Sequence, residues 1–516
     1  MEDKPLSIVS ASQMREADQF TLTNEPISSP KLMERAAFAC FQWIEQKMDL
    51  KQHFVIFCGI GNNGGDGLAL AKILGKNNCF VSVYVVGDSN RSSDDFKFQL
   101  ANLINATLLP INHIHSDEQI PELKHDCVIV DAIFGAGLNR PIEGLEKEVV
   151  NKINQSNYIV ISIDLPSGLF CEDNSQNNSG SIVQATYTLT FERPKLAFLL
   201  SDFGEKAGEW EILSIGLNHP FIDGLHTPYF FLTKSYIQPL LKKRNKFSHK
   251  GSYGHTLLVT GSKGKMGAAV LATKAALHSG AGLVTTFVPQ CGYNIIQTSC
   301  PEAMCVTSNE VDFIDGAIDL KGYQSIGLGP GIGTQPSTSE MVLKIIQQAN
   351  CPLVIDADAL NILSDHRDFM KFVPKNTVLT PHPKEFDRLF GNSESAYYRL
   401  QKQLEKSKAH SIYILLKGAH SSLSTPSGEV YFNSTGNPGM AKGGSGDVLT
   451  GMVSSLLAQA YSPLEATTIG MFLHGLAGDS AQEQFTEDSM SATQLIDCIP
   501  KAFILLHEKV FQSINS

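Results

Sequence analysis

Residues Gly436 to Gly451 read GNPGMAKGGSGDVLTG, with six glycines and a single acid, Asp447. The continuation VLTGMVSSLLAQA is apolar or small on most faces and predicts a buried helix. A glycine-rich loop thus delivers a carboxylate to the start of a helix. Glycine permits positive φ and close backbone approach. The first N–H groups of a helix lack intrahelical partners and attract anions, so a phosphate over Gly443–Gly446 would be held by backbone. A carboxylate beside such a cradle suits a base that takes a proton from an attacking hydroxyl, as in phosphoryl transfer. The plainer alternative is that Asp447 caps the helix. No Lys-Ser or Lys-Thr follows a glycine at the spacing of a Walker A loop.

A second set of acids lies earlier. Gly59-Ile60-Gly61-Asn62-Asn63-Gly64 matches G-x-G-x-x-G and continues Gly65-Asp66-Gly67. The match alone is weak, but two asparagines and an aspartate are unusual in a plain cofactor loop. Asp131 ends one apolar run and Asp164 another, the latter followed by Pro166-Ser167-Gly168. Three carboxylates and a hydroxyl above one sheet edge would suit a hard cation; the alternative is that each caps a helix or satisfies a turn. Further along, His382 stands between two prolines, which would present its ring rigidly, or simply mark a surface turn. Lys417 would neutralise a phosphate or snorkel, and Asp356 would serve magnesium or cap a helix. His474, Met266 and Met304 read as packing residues. The basic run LKKRNKFSHKGSYG (241–254) is either a solvated linker or the wall of a phosphate site.

These residues need strands to carry them. Apolar runs at 54–58, 80–87, 127–135 and 158–168 alternate with helical patterns, one near Lys31 to Lys47. Ser10 and Gln13 have the spacing of a capping box for an earlier helix. CEDNSQNNSG (171–180) reads as a solvated loop, and IVQATYTLTF and WEILSIGL as strands completing the sheet. The alternation breaks near Leu225 to Thr233, the expected domain boundary, and then restarts. HTLLVTGS, SIGLGPGIG, PLVIDADAL, TVLTPHPKEF and SIYILLKGAHSSL each end in polar or glycine-rich turns. In open parallel sheets the carboxyl ends of strands are where ligands bind.

Composition bounds the rest. A chain of 516 residues exceeds one ordinary core and implies two domains or three. With 41 basic and 52 acidic residues the formal net charge is -11, which argues against a general nucleic-acid or anionic-membrane binder. Ten scattered cysteines without a C-x-x-C pair predict buried thiols of a reducing compartment, hence a cytoplasmic location. The opening residues lack a basic segment followed by an apolar core, so no secretory signal is expected, and no apolar run is long enough for a membrane span.

Taken together, SHKGSYG, GSKGKMGAA, HSGAGLV, GLGPGIG, VIDADALN, TPHPKEF, LKGAHS and GNPGMAKGGSGDVLTG resemble the ADP- or ATP-dependent NAD(P)H-hydrate dehydratases, relatives of the ribokinase-like kinases. LMERAA, GNNGGDG, DAIFGAGL and DLPSG resemble the NAD(P)H-hydrate epimerases. Both lie in the order found in the bifunctional repair enzymes of hydrated nicotinamide cofactors. The resemblance implies an α/β protein of two three-layer α/β/α domains: a Rossmann-like epimerase over 1–228 and a ribokinase-like dehydratase over 229–516. It implies epimerisation of R- and S-hydrates of NADH and NADPH (NADHX and NADPHX). The S form would then be dehydrated with ADP, carried with Mg2+, to give NAD(P)H, AMP and phosphate.

Residue by residue, the resemblance places Asn62, Asn63, Gly64, Gly65, Asp66 and the turn Gly135, Ala136, Gly137, Leu138, Asn139, Arg140, Pro141 against the hydrate in the epimerase. Asp164 faces the reacting ring, and Asn63, Asp131 and Ser167 hold a potassium ion. In the dehydratase, Ala268, Gly331 and His382 contact the hydrate. Lys417, Gly418, Ala419, His420, Ser421 and Gly446 hold the nucleotide, and Asp447 is the base. Glu192, Arg193 and His278 depart from the family pattern and would alter substrate preference or assembly. A homo-oligomer is implied, and neither nucleic acid nor membrane as partner. The rival reading is a ribokinase-like small-molecule kinase whose N-terminal half is a non-catalytic ligand- or protein-binding module.

Overall fold

The computed structural model describes residues 4–123 and 126–508. The chain forms two compact units. One comprises Ser7–Thr227 with Ser395–Tyr397; the other holds Pro228–Glu394 and the chain from Tyr398 onward.

The first unit is built on seven parallel strands: β1 (His53–Cys58), β2 (Phe80–Val86), β3 (Ile111–Ile114), β4 (Cys127–Ala132), β5 (Ile159–Ile163), β6 (Tyr187–Phe191) and β7 (Glu209–Leu213). Their order is β3-β2-β1-β4-β5-β6-β7. Phe54, Ile56 and Cys58 pack into one layer, and Val55 and Phe57 into the other. This two-sided burial is why β1 reads as a continuous apolar run. The chain leaves β1 towards β2 on one side and returns to β4 on the other, so the crevice between the ends of β1 and β4 is the topological switch point. Helices α1 (Ala11–Asn24), α2 (Ser29–Lys47), α3 (Asn62–Lys76), α4 (Asp94–Ala106) and α5 (Gly144–Asn154) accompany the sheet. The expected capping box of α1 is present, with Ser10 Oγ accepting from Gln13 N and Gln13 Oε1 from Ser10 N.

The second unit contains β8 (Tyr229–Phe231), β9 (His255–Val259), β10 (Leu283–Val288), β11 (Met304–Thr307), β12 (Ser325–Leu328), β13 (Leu353–Ile355), β14 (Val378–Leu379), β15 (Tyr413–Leu416), β16 (Ser422–Ser424) and β17 (Val430–Phe432). They lie in the order β8-β17-β16-β15-β14-β13-β12-β9-β10-β11. Strands from β11 to β15 run parallel, and β15, β16 and β17 pair antiparallel. Leu257 and Val259 enter one core layer and Leu258 another. Its helices include α6 (Met266–His278), α7 (Pro336–Gln348), α8 (Ala357–Asp365), α9 (Pro383–Phe390), most of α10 (Ala396–His410), α11 (Ser445–Ala458), α12 (Pro463–Ser489) and α13 (Ala492–His507).

Several expectations need correction. The Gly59–Gly67 segment is not a loop throughout, because α3 begins at Asn62. A Cβ on Gly59 would fall 2.0 Å from Ile133 O, and one on Gly64 1.8 Å from Gly59 O. These glycines permit tight packing of helix on strand, which outweighs their poor helix propensity. The 171–180 loop is partly interior: Cys171 and Asn174 are buried, and Asn174 bonds both N and O of Phe170. Met304 is not a packing residue; it lies on the edge strand β11 and is 42% exposed. Seven of the ten free cysteines are buried and Cys291, Cys305 and Cys351 are half-buried.

Two cations of the basic run serve helix ends. Lys242 Nζ donates to Ala460 O at 2.6 Å, beyond the C-terminus of α11. Arg244 donates to Gly280 O at 2.6 Å, beyond the C-terminus of α6. Cations at helix carboxyl ends satisfy orphan carbonyls and the dipole.

Candidate active sites

In the first unit a cavity of about 860 Å³ opens at the switch point. Asn62, Asn63 and Asp66 reach it from the start of α3, Gly135 to Arg140 from the turn after β4, and Asp164 from the end of β5. Gly64 and Gly65 lie behind this wall, Gly64 against Gly59 and Gly65 against Met33, and Pro141 lies just past the lining turn. Asp164 adopts a left-handed φ of 68°, a strained conformation for a non-glycine residue. Its Oδ1 meets Lys195 Nζ at 2.9 Å, and that lysine is 2% exposed.

Asp131 does not reach the cavity. It is fully buried, and its carboxylate accepts from Ser162 Oγ (2.7 Å), Ser167 N (2.8 Å) and Ser167 Oγ (2.5 Å). Burial pushes its carboxyl above the usual range despite these donors. Ser167 Oγ also accepts from Phe134 N. On the other side of the same turn, a Cβ on Gly135 would fall 3.2 Å from the Asn63 side chain. The Asn63 amide donates to Ile163 O at 2.8 Å, yet its Oδ1 is buried and unpartnered. Such an orphan is costly. An oxygen-liganded cation would satisfy it and offset a carboxylate whose donors are all neutral, so the donor set suits the expected potassium ion.

Two groups beside Asp164 escaped the reading of the sequence: Lys195, behind the cavity wall, and Asp18, in its lining. Lys195 sits in FERPKLAF, where attention fell on Glu192 and Arg193. Asp18 lines the cavity from α1; in sequence it is one polar residue of a helix. Burial, with Asp164 nearby, raises its carboxyl to about 6. Burial and then the charges of Asp164 and Asp18 push Asp66 well above the carboxylate range. Glu192 and Arg193 are buried braces outside the lining. Glu192 accepts from Ile215 N (2.6 Å) and Leu217 N (3.1 Å), which do line the cavity, and Arg193 pairs with Asp223 at 2.7 Å.

In the second unit five parallel strands end side by side and set the site in sheet order. Lys417 follows β15, His382 follows β14, Asp356 follows β13, Gly331 lies in the turn after β12, and Ala268 opens α6 after β9. Gly331 has φ +66°, and a Cβ there would lie 3.0 Å from Ala268 Cβ, so those two adjoin. Lys417 N donates to Pro381 O at 2.9 Å, which seats it beside the His382 turn. His382 caps α9, its Nδ1 accepting from Lys384 N and Glu385 N. Its ring is therefore fixed while half exposed, the rigid presentation expected of the two prolines.

Gly418 to Ser421 form the turn between β15 and β16. Gly418 N donates to Ser421 Oγ at 3.3 Å, and His420 Nδ1 lies 3.1 Å from Asn433 O. Burial lowers the pKa of His420.

Gly444, with a left-handed φ of 100°, is the N-cap of α11, and Asp447 lies in the first turn without being the cap. His474 is half-buried rather than core; its Nε2 donates to Ser445 O at 2.9 Å, at the start of α11, and desolvation lowers its pKa to about 4. The capping alternative for Asp447 therefore fails. Burial and then the charge of Asp356 raise its carboxyl to about 6, against a partial lowering by Lys417. That value is suited to a base at neutral pH. Lys417 Nζ lies 3.3 Å from where a Cβ on Gly446 would sit, so an ammonium overhangs the open N–H groups of the helix. It is not a snorkelling lysine: its ammonium pairs with Asp356 at 2.7 Å. Burial alone would lower its pKa, but Asp356, Glu385 and Asp447 outweigh burial and keep it raised.

The family model described as NAD(P)H-hydrate dehydratase matches residues 256–501, and the one described as YjeF-related protein N-terminus matches residues 29–197. The bifunctional NAD(P)H-hydrate repair enzyme Nnr of Moorella thermoacetica is 34% identical, over 98% of this chain and 98% of its own. That of Coxiella burnetii is 34% identical over 94% and 96%. Among solved structures, the ADP/ATP-dependent NAD(P)H-hydrate dehydratase of Bacillus subtilis aligns with 29% identity and a TM-score of 0.46. The alignment covers 54% of this chain and 98% of that one. Similarity along nearly the whole length, in both units, places this chain in the family of bifunctional NAD(P)H-hydrate repair enzymes.

Proposed function

We propose that the chain repairs hydrated NADH and NADPH, with the epimerase in residues 1–228 and the dehydratase in 229–516. The observation that carries this reading is Asp447 in the first turn of a glycine-capped helix whose N-terminus the Lys417 ammonium overhangs. In the dehydratase, the hydrate rests against Ala268, Gly331 and His382, and ADP against Lys417–Ser421 and Gly446. Asp447 takes the proton from the ring hydroxyl as its oxygen attacks the β-phosphorus of ADP, and AMP leaves. The ring nitrogen lone pair then expels phosphate, and loss of a neighbouring C–H proton restores the ring double bond. Phosphate is a far better leaving group than hydroxide, which is why a kinase-like site can dehydrate. Mg2+ bound to the ADP phosphates would offset their charge. It would arrive bound to the nucleotide, whose phosphates supply most of its ligands.

In the epimerase, Asn62, Asn63, Asp66 and the 135–141 turn hold the hydrate, and Asp164 exchanges a proton at the reacting ring with Lys195 fixing its carboxylate. Potassium held by Asn63, Asp131 and Ser167 would supply fixed positive charge behind the 135–141 turn. We read the location as cytoplasmic and the assembly as a homo-oligomer. No helix of the described residues is long and apolar enough to cross a membrane.

The test is recovery of reduced-nicotinamide absorbance from an epimeric mixture of hydrated NADH with ADP, Mg2+ and K+. Full recovery supports two working sites, and replacing K+ by Na+ then slows only the R fraction. Recovery of the S fraction alone makes the N-terminal half a binding module. No recovery with ADP or ATP returns the second unit to the small-molecule kinase reading.

A further inference from the structure

Asp356 ends β13 at the N-cap position of α8, yet it makes no capping bond. It is 1% exposed, and both its oxygens are committed: Oδ1 to Lys417 Nζ at 2.7 Å, Oδ2 to Thr450 Oγ1 at 2.8 Å. Thr450 is fully buried and stands one helical turn beyond Asp447 on α11. The carboxylate therefore ties the end of β15, which carries Lys417, to the helix that carries the base. A lysine has four rotatable side-chain bonds and is a mobile point charge. Over an anion cradle it is worth most when its position is fixed before the reaction. Lys417 is so fixed, its ammonium 3.3 Å from the Cβ position of Gly446.

We propose that Asp356 is a positioning residue of the dehydratase: with Thr450 as its anchor, it holds the Lys417 ammonium over the phosphate cradle, and it is neither a helix cap nor a magnesium ligand. The inference rests on the dehydratase reading and assigns that site a residue triad, Asp356–Lys417–Thr450, drawn from three elements. A cap is excluded by the missing capping bond. A divalent cation on this carboxylate would sit beside the Lys417 ammonium that already pairs with Oδ1, and that repulsion disfavours it.

The experiment uses the full chain with the S-epimer of hydrated NADH, ADP and titrated Mg2+. Asp356→Asn and Lys417→Met are each expected to lower kcat roughly 10²-fold, as for loss of one preorganised charge contact. The double variant should fall no more than about threefold below the worse single one, because both changes remove the same device. KM for the hydrate and the Mg2+ concentration for half-maximal rate should stay at wild-type values. Thr450→Val should lower kcat about 10-fold, and Thr450→Ser should restore it. Effects that multiply in the double variant, or recovery of Asp356→Asn at high Mg2+, overturn the proposal. If Asp356→Asn does not fold by thermal melting, the same cycle is run with Thr450→Val and Lys417→Met and read the same way. An inactive wild-type chain would sink the dehydratase reading and this inference with it, whereas an active wild type with uncoupled variants sinks the inference alone.

Discussion

Each unit sets an aspartate and a lysine at the carboxyl edge of a parallel sheet, and each wires the pair differently. In the first, Lys195 pairs directly with Asp164 at 2.9 Å. In the second, Lys417 pairs with Asp356 and leaves Asp447 without a direct cation, its carboxyl raised to about 6. A lysine bonded to a carboxylate stabilises its charge and fixes its orientation. A lysine bonded to a third residue can point at a phosphate while the nearby acid stays basic. The same two residue types thus serve proton exchange at a ring in one place and phosphoryl transfer in the other.

The largest expected effect breaks the comparison at its free acid. Asp447→Ala should lower dehydration of the pure S-epimer by ~10³-fold or more while ADP still binds, read by calorimetry beside turnover. Normal turnover would remove Asp447 from the mechanism. Next, Asp164→Ala should lower epimerisation by ~10²–10³-fold and leave dehydration of the S-epimer untouched. Loss of both rates would mean that Asp164 maintains the fold more than it catalyses.

A subtler contrast lies in pH dependence. Dehydration should lose rate as pH falls through about 6, the value to which Asp447 is raised, because the base becomes protonated. A profile flat down to pH 4 would contradict that raised carboxyl.

The smallest effect concerns stability. Asp447 rises from 3.8 to about 6 on folding, so the folded chain binds its proton more tightly than the unfolded one. Stability tied to that proton is fully present below pH 3.8 and is lost as pH rises through about 6. Asp447→Asn should therefore stabilise the second unit by up to ~3 kcal/mol at pH 8 and by little at pH 3.5, measured by urea melts. Equal effects at both pH values would show that the carboxylate charge is not what strains the site.

Much of the architecture was legible because burial on both faces of a parallel sheet leaves continuous apolar runs such as Phe54–Cys58, each ending in a polar turn. Short edge strands carry no such signal. Ile111–Ile114 and Met304–Thr307 alternate buried and exposed residues or lie open at the edge, and they went unseen. Glycines were legible as close approaches, but what they approach was not. Gly64 meets the carbonyl of Gly59, a packing role that the motif alone cannot tell from a ligand cradle.

By itself the sequence determined that two α/β units would present acids and glycines at strand ends, because hydrophobic period and turn chemistry are local properties. It also singled out Asp164, Asp131, Ser167, Lys417 and Asp447, each beside a strand end or glycine turn. Only the tertiary structure decided which of them meet. Lys195 joins Asp164 from 31 positions away, and Asp356 takes Lys417 from 61. Asn63 keeps a buried oxygen without a partner. Such pairings depend on strand order and on which charges burial forces together, and no spacing along the chain encodes them.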